Sequence, residues 1–482
     1  MILGLDKPDD DSYGLRMIDA SIVQELSEIV GPAYVSVQPD DLVANAADAL
    51  KQPHMPDVVV KPRTAAEISA IMKLANQRMI PVTPRGGGAG YTGGCVPLHG
   101  GIVLNLERMN QIITIDQSNM YAIVEPCVIT KTFMEAADAL GLFYPPDPSS
   151  MKECTLGGNV AENAGGPRCV KYGTTKQYVL GIEFVTPTGD IVMSGGPTTK
   201  NVAGLDIHSL MIGSEGLLGI MTRIWLRLIP KPAATRTLRA CFPSVRKAAE
   251  CVAAFAGELM TPCALELIDQ PSLNAVEDAR NFGLPREAKA MLVIEVDGSI
   301  PEVERQSAVV EKLCLKYEGY DLIAAKSDEE AEQLWEVRRA ISRSLMKYGN
   351  KKLNEDIVVP RSRIPELFDR LNQIEEKCGL LIPAFGHAGD GNIHVNVMLD
   401  ENDPDQVERA HVAVGEIMAA AVELGGTITG EHGIGYTKAQ YMPLAFSPQT
   451  IETMQRVKRA LDPNGILNPG KMFPLNIRAK DC

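Results

Sequence analysis

Apolar and polar positions in this chain recur at two periods, about 3.6 and 2, and the two regimes alternate along its length. Residues 17–50 have helical spacing, for example Ile22, Leu26 and Ile29, and predict a helical lead-in. The apolar run 57–60 predicts a buried strand, and Thr64-Ala65-Ala66-Glu67 is a capping box opening a helix whose inner face is Ile68, Ile71, Met72 and Ala75. Strands are expected at 80–83, 102–106, 112–115 and 122–125, a helix at 130–140 closed by Gly141, and a hairpin of 179–186 with 190–193 around Thr188-Gly189. Ile220, Thr222, Ile224, Leu226 and Leu228 then mark one face of a strand.

Pro230 and Pro232 break that strand, so a domain boundary is expected at Lys231-Pro232. Beyond it, helical segments 245–255, 302–317, 328–346 and 364–378 interleave with strands 265–268, 291–296, 356–359 and 381–386. That alternation predicts an α+β domain whose antiparallel sheet is covered by helices on one side. A last helix ends near Leu461 before the turn-rich Asp462-Pro463-Asn464-Gly465. The expected division is a lead-in 1–53, a first domain 54–232, a second 233–425, and a closing segment 426–482.

Composition changes this picture only by exclusion. A chain of 482 residues with 45% hydrophobic and 22% charged residues is ordinary globular protein. A net charge of −14 argues against nucleic acid and anionic membrane as partners, both of which want a basic face. Residues 1–11 have neither a basic nor an apolar targeting region, and no apolar run reaches membrane-spanning length, so a cytoplasmic protein without a membrane span is expected. The ten cysteines include no C-x-x-C pair, which argues against an iron-sulfur cluster or a structural zinc in this chain.

Two stretches carry candidate chemistry. The first is Pro84-Arg85-Gly86-Gly87-Gly88-Ala89-Gly90-Tyr91-Thr92-Gly93-Gly94, with six glycines in eleven positions. Such a run can turn successive backbone N–H groups toward an anion, and Arg85 adds a fixed charge, so it reads as a phosphate cradle. Gly88, Gly90 and Gly93 fit the dinucleotide fingerprint literally, but Cys95-Val96-Pro97 follows where that motif needs a helix. No Lys-Ser/Thr ends the loop, so the P-loop reading fails too.

The second is His387-Ala388-Gly389-Asp390-Gly391-Asn392-Ile393-His394-Val395-Asn396. Asp390-Gly391 predicts a two-residue hairpin turn, which would set His387 directly opposite His394 with Cβ atoms ~5 Å apart. Asn396 would share their face. Glu431, in Gly430-Glu431-His432-Gly433, is the natural third ligand, and a His/His/carboxylate set suits zinc, manganese, iron or cobalt. Arg338 is the candidate carboxylate clamp, since a guanidinium can meet a carboxylate with two parallel hydrogen bonds, while Arg339 reads as solvated. Tyr172, Ser342, Lys352 and Asn396 are further pocket candidates.

These stretches, with Pro145-Pro146-Asp147-Pro148-Ser149-Ser150, Thr155-Leu156-Gly157-Gly158-Asn159 and Ala161-Glu162-Asn163-Ala164-Gly165-Gly166, give the chain a family resemblance. It resembles the FAD-linked oxidases of the vanillyl-alcohol oxidase type, and more closely their D-lactate dehydrogenase and glycolate oxidase flavoprotein subunits. The resemblance covers nearly the whole chain. It implies an α+β protein: a two-subdomain FAD-binding domain plus an α+β cap with an antiparallel sheet. FAD would be held by the cradle, by Pro146, Asp147, Ser150, Thr155, Gly157, Gly158, Asn159, Asn163 and Gly166, by Gly219 and Ile220 near the adenosine end, and by Glu431 and Asn468 near the ring. No histidine lies between Pro84 and Gly94, where some relatives attach flavin covalently, so non-covalent FAD is expected.

Carried over residue by residue, the resemblance implies metal binding by His387, His394 and Glu431 and proton abstraction by His432. A 2-hydroxy acid would chelate the metal, His432 would take the hydroxyl proton, and the Cα hydride would pass to flavin N5. Relatives that handle a dicarboxylate tend to place a Lys just before the Asp-x-x-x-Pro strand, whereas this chain reads Lys352-Leu353-Asn354-Glu355-Asp356 there. That departure favours a small monocarboxylate, D-lactate or glycolate. The electron acceptor would be a protein, an electron-transfer flavoprotein or an iron-sulfur subunit. The competing readings are a sugar or polyol oxidase of the same fold and a flavin-bearing relay subunit with no substrate of its own.

Overall fold

The computed structural model describes residues 18–258 and 260–473; what the sequence suggests for residues 1–11, for position 17 and for Cys482 lies outside them. The chain divides into two compact units. The first gathers the N-terminal segment through Ala164, Thr174–Lys231, and the segment from Glu431 onward; the second holds Gly165–Gly173 and Pro232–Gly430.

The first unit begins with β1 (Val35–Ser36), β2 (Val58–Val60), β3 (Val82–Arg85) and β4 (Ile102–Asn105), in the order β1-β2-β4-β3, with β2, β4 and β3 parallel. All three valines of β2 are buried, as a parallel strand covered on both faces requires. Helix Ala65–Arg78 makes the crossover from β2 to β3. Its Thr64 side chain accepts from Glu67 N at 3.2 Å, while Glu67 reaches back to Arg63 N at 2.6 Å. Ile68, Ile71, Met72 and Ala75 face inward and meet Ile22, Leu26 and Val30 of helix Ala20–Val30 in one core, so the lead-in is part of this unit. The chain's far end joins the same layer: Val82 N donates to Ile466 O at 2.8 Å, and Asn468 N donates to Val82 O at 2.7 Å.

The next strands are β5 (Ile112–Asp116), β6 (Tyr121–Val124), β7 (Leu142–Phe143), β8 (Val179–Val185), β9 (Ile191–Gly195), β10 (Ile220–Arg227) and β11 (Ile229–Pro230). Five form an antiparallel sheet in the order β5-β6-β10-β8-β9, and β7 pairs with β11. The single apolar face expected for β10 is replaced by near-complete burial, with only Arg223 and Arg227 exposed. Register shifts between Met221 and Arg223 and between Trp225 and Leu226 break its strict alternation.

The second unit is built on β12 (Ala234–Phe242), β13 (Ala264–Asp269), β14 (Ala290–Gly298), β15 (Tyr320–Ala324), β16 (Lys351–Val358), β17 (Ala384–His387) and β18 (Asn392–Leu399). They form one antiparallel sheet in the order β15-β12-β14-β13-β17-β18-β16. Helices cover both of its faces, not one. Helices Gln270–Arg280 and Asp328–Ser344 pack with Cys241, Ile268, Met291, Val293 and Phe385 on one side. Leu238, Ala240, Leu265, Leu267, Leu292 and Ile294 point the other way and are equally buried, against helices Val245–Ala254 and Ile300–Lys316. Full burial along β13 and β18, and along β14 as far as Asp297, follows from this double cover.

The turn between β17 and β18 also differs from expectation. His387 pairs with Asn392 and Phe385 with His394, so the loop is the four residues 388–391 and the register is shifted from a two-residue hairpin. Asp390 N and Gly391 N both donate to His387 O, at 3.2 and 3.1 Å, and close it. Gly391 has φ +90°, and a Cβ there would lie 1.9 Å from Val359 O, so the Asp-Gly pair serves contact with the segment at Val359 rather than a tight bend.

Candidate functional site

The strand pairings align the polar residues of the second unit. Opposed residues share a face, so Glu266 on β13, His387 on β17, His394, Asn392 and Asn396 on β18, and Asp356 and Asn354 on β16 line one side of the sheet. His387 and His394 are diagonal neighbours with ring centroids 5.2 Å apart and planes near perpendicular. The two-residue shift keeps both rings on that side, since strand faces repeat every two residues.

Glu266, fully buried, lies directly across from His387, with Oε1 2.5 Å from Nδ1. Burial raises its carboxyl, but the His387 and Arg338 charges and hydrogen bonds win and hold it at about 2. A carboxylate on Nδ1 of an imidazole is the pairing found in metal centres, where Nε2 is the ligand atom. Asp356 binds Gly430 N at 2.9 Å and Thr429 Oγ1 at 3.1 Å, which anchors the chain one residue before Glu431. Ligand atoms of His387, His394 and Glu431 lie within 4.8 Å of one another. Two imidazoles and a carboxylate at that spacing fit a divalent cation.

Arg338 falls on the apolar stripe of helix Asp328–Ser344, with Leu334, Val337 and Ile341, and is buried there, while Arg339 is exposed and pairs with Glu332. Its Nε donates to Glu266 Oε2 at 2.5 Å, and its guanidinium lies 4.6 Å from the Phe385 ring centroid. Nη2 is buried with no hydrogen-bond partner among the described residues, as is Oδ1 of Asn396. One unused donor and one unused acceptor thus belong to residues of the imidazole-bearing side. The other pocket candidates have partners: Tyr172 donates to Asp297 at 2.6 Å, and exposed Ser342 takes a hydrogen bond from Lys352 Nζ at 2.5 Å.

In the first unit, β3 runs straight into the glycine segment. Among the described residues, the N–H groups of Gly86, Gly87, Gly88, Ala89 and Gly90 have no acceptor. A Cβ on Gly86 would sit 2.6 Å from Thr155 Oγ1, and one on Gly87 2.5 Å from Glu153 O, so the loop can approach 153–155 only as glycine. Five consecutive unused donors beside Arg85 fit the pyrophosphate of a dinucleotide. Arg85 itself donates to Cys95 Sγ at 3.2 Å.

Other residues expected at the cofactor have the following surroundings within the protein. Gly157 N is taken by Pro126 O at 2.7 Å, and Gly158 N by Thr155 Oγ1 at 3.3 Å, so these two do not present free donors. Asn159 donates to Thr130 at 2.7 Å, and Asn163 accepts from Lys176 N and Thr174. Asn468 donates to Gly94 O and Glu215 O and accepts from Lys471 Nζ. Gly219 is packed against Met211 and Phe184, Ile220 lies in the core, and Gly166 belongs with the second unit. Pro146, Asp147 and Ser150 lie in the turn before Thr155, where Ser150 O accepts from Glu153 N and Cys154 N.

The loop after Glu431 is held within the first unit. The His432 ring lies 5.3 Å from that of Tyr91, and His432 O accepts from Thr92 Oγ1 at 3.2 Å. Glu215, absent from the sequence expectations, accepts from Ile434 N and Gly435 N. A lone acid in Gly-Ser-Glu-Gly was its only signal. Glu266 also went unrecognised; an acid in the apolar run Ala264–Asp269 could have revealed it.

Comparison with known proteins gives these features their context. Residues 231–472 match the family model "FAD linked oxidases, C-terminal domain", and residues 56–195 match "FAD binding domain". The chain is 42% identical to "Glycolate oxidase subunit GlcD" of Bacillus subtilis (strain 168), covering 96% of this chain and 99% of that protein. It is 36% identical to "D-lactate dehydrogenase" of Archaeoglobus fulgidus, covering 94% and 99%. Among solved structures, p-cresol methylhydroxylase with substrate bound superposes with a TM-score of 0.78 at 19% identity over 95% of this chain and 97% of that one, a likeness of fold. No helix among the described residues is long and apolar enough to cross a membrane. The chain belongs to the FAD-linked oxidase family and is a flavin-dependent oxidoreductase with the vanillyl-alcohol oxidase fold.

Proposed function

We propose that this protein is an FAD-dependent dehydrogenase that oxidises a small 2-hydroxy acid, D-lactate or glycolate, to the 2-oxo acid and passes the electrons to a protein acceptor. One observation carries the reading. The His387, His394 and Glu431 donor set, backed by Glu266, belongs with an Arg338 whose Nη2 has no partner among the described residues. A cation site combined with a spare guanidinium nitrogen suits a substrate that brings a hydroxyl and a carboxylate together. The names of the relatives support that substrate class, and the word "subunit" in one of them supports a partner chain as acceptor, an electron-transfer flavoprotein or an iron-sulfur subunit. Cysteines with no disulfide among the described residues favour a reducing compartment such as the cytoplasm.

His387, through Nε2, His394 and Glu431 would hold the divalent cation, whose contribution is to lower the pKa of a coordinated hydroxyl. The unpaired N–H groups of 86–90 with Arg85 would hold FAD, which supplies the two-electron acceptor. Arg338 Nη2 receives the substrate carboxylate, and Asn396 stands on the same side of the sheet as the two imidazoles. His432 takes the hydroxyl proton as the Cα hydride departs, leaving the carbonyl of the product.

Anaerobic mixing with a panel of 2-hydroxy acids, with flavin absorbance followed and metal content measured on the same sample, tests the reading. Bleaching by D-lactate or glycolate and not by L-lactate or sugars is expected. Bleaching by sugars alone would favour a sugar or polyol oxidase, and none with any compound a relay subunit. His432→Asn should slow reduction by at least about 100-fold with FAD retained.

A further inference from the structure

Glu215 is itself assigned to neither metal, substrate nor cofactor, and its main-chain O accepts from Asn468 Nδ2 at 2.8 Å. It is 5% exposed and held in the left-handed region at φ +50°. Its two carboxylate oxygens are used separately: Oε1 accepts from Ile434 N at 2.7 Å and Oε2 from Gly435 N at 2.6 Å. Hydrogen bonds from backbone to a buried carboxylate are among the stronger ones. Between those amides and His432 stands Gly433, with φ +80°; a Cβ there would fall 2.3 Å from Glu162 Oε2 and 2.9 Å from Glu215 Oε1. Two acids thus border the residue that follows His432. On the other side, Tyr436 N donates to Thr92 O at 3.0 Å, and Thr92 Oγ1 donates to His432 O.

We infer that Glu215 is a positioning residue that fixes the 432–435 loop, and with it the His432 imidazole, in the geometry needed for proton transfer. The inference rests on the reading of His432 as the base. Glu215 acts on the loop through two main-chain amides, and that loop carries His432. A displacement of ~1 Å in a reacting group can cost about 100-fold in rate.

Glu215→Gln is the direct test, because either orientation of the amide turns an NH₂ group against one of the two N–H donors. In FAD-loaded protein, the rate of anaerobic flavin reduction should fall about 100-fold with little change in the substrate concentration for half-maximal rate. Amide hydrogen exchange at Ile434 and Gly435 should accelerate at least tenfold, with or without FAD. In a His432→Asn background, Glu215→Gln should cost nothing more, because the group it positions is gone. Gly433→Ala, which keeps both carboxylates and displaces the same loop, should reproduce the loss and the non-additivity, and it decides the matter if Glu215→Gln does not fold. Near-wild-type reduction in Glu215→Gln, or an equal further loss in the His432→Asn background, overturns the positioning role and leaves the base intact. Full reduction by His432→Asn alone overturns the base assignment and this inference with it.

Discussion

Oε1 of Glu266 lies 2.5 Å from Nδ1 of His387, across the pairing of β13 with β17, and Oε2 of the same carboxylate receives Nε of Arg338 at 2.5 Å. One buried acid therefore orients both a proposed metal ligand and the proposed carboxylate clamp. Glu266→Gln keeps the shape and removes the charge. Outer-shell partners of metal-bound histidines are worth about 10- to 100-fold in affinity, so metal binding, measured by competition with a chelating dye, should weaken by that factor. Unchanged affinity would remove Glu266 from the centre.

Arg338→Met leaves Glu266 without its guanidinium partner in the interior. Breaking a buried ion pair from one side costs about 3–5 kcal/mol, and urea unfolding should register a loss of that order. The double variant with Glu266→Gln should recover part of it. A loss below about 1 kcal/mol, of the size seen for exposed pairs, would mean the pair is effectively solvated.

Gly87→Ala sets a methyl group against Glu153 O, a main-chain atom that cannot swing aside. The cradle and 153–155 must part, and flavin retention after gel filtration should fall with a dissociation constant raised at least about tenfold, equivalent to 1.4 kcal/mol or more. Metal content should be unaffected. Full flavin retention would separate this loop from the cofactor.

Lys352 donates to Ser342 O and Oγ, and burial draws its amine down to about 8 from the ordinary 10.5. The folded state therefore holds fewer protons here than the unfolded state between about pH 8 and 10.5, so this group adds stability as pH rises through that window and its charging opposes folding below it. Acylation of Lys352, followed by peptide mass spectrometry, should be half-maximal near pH 8. A midpoint near 10.5 would show an ordinary solvated amine.

Where secondary structure could be read from the chain, local signals agreed with tertiary ones. Thr64 and Glu67 start a helix by hydrogen bonds made within a few residues, and the inner face that follows is strictly periodic. Helix Pro404–Glu423 went unforeseen because four of its buried positions are Ala410, Ala413, Ala420 and Ala421, too small to stand out as an apolar stripe. The His387–His394 turn was misjudged by two residues for the opposite reason: Asp390-Gly391 is a strong local hairpin signal, but Val359 bonds Gly391 from a distant part of the sequence. Both histidines were legible as a pair because a shift of two keeps a strand residue on its side. Glu266, Asp356 and Glu215 were not, since each acts on a group more than 70 positions away.

The bond between Val82 and the 466–468 segment has a consequence for biosynthesis. A ribosome must add nearly 400 further residues after Val82 before its neighbour emerges, and the whole Pro232–Gly430 body is made in between. That body is nearly continuous in sequence and can condense early, whereas the nucleotide-binding half waits for the last stretch of chain with its edge unsatisfied. Premature termination near residue 460 would thus spare the later-encoded body and leave the earlier-encoded one incomplete.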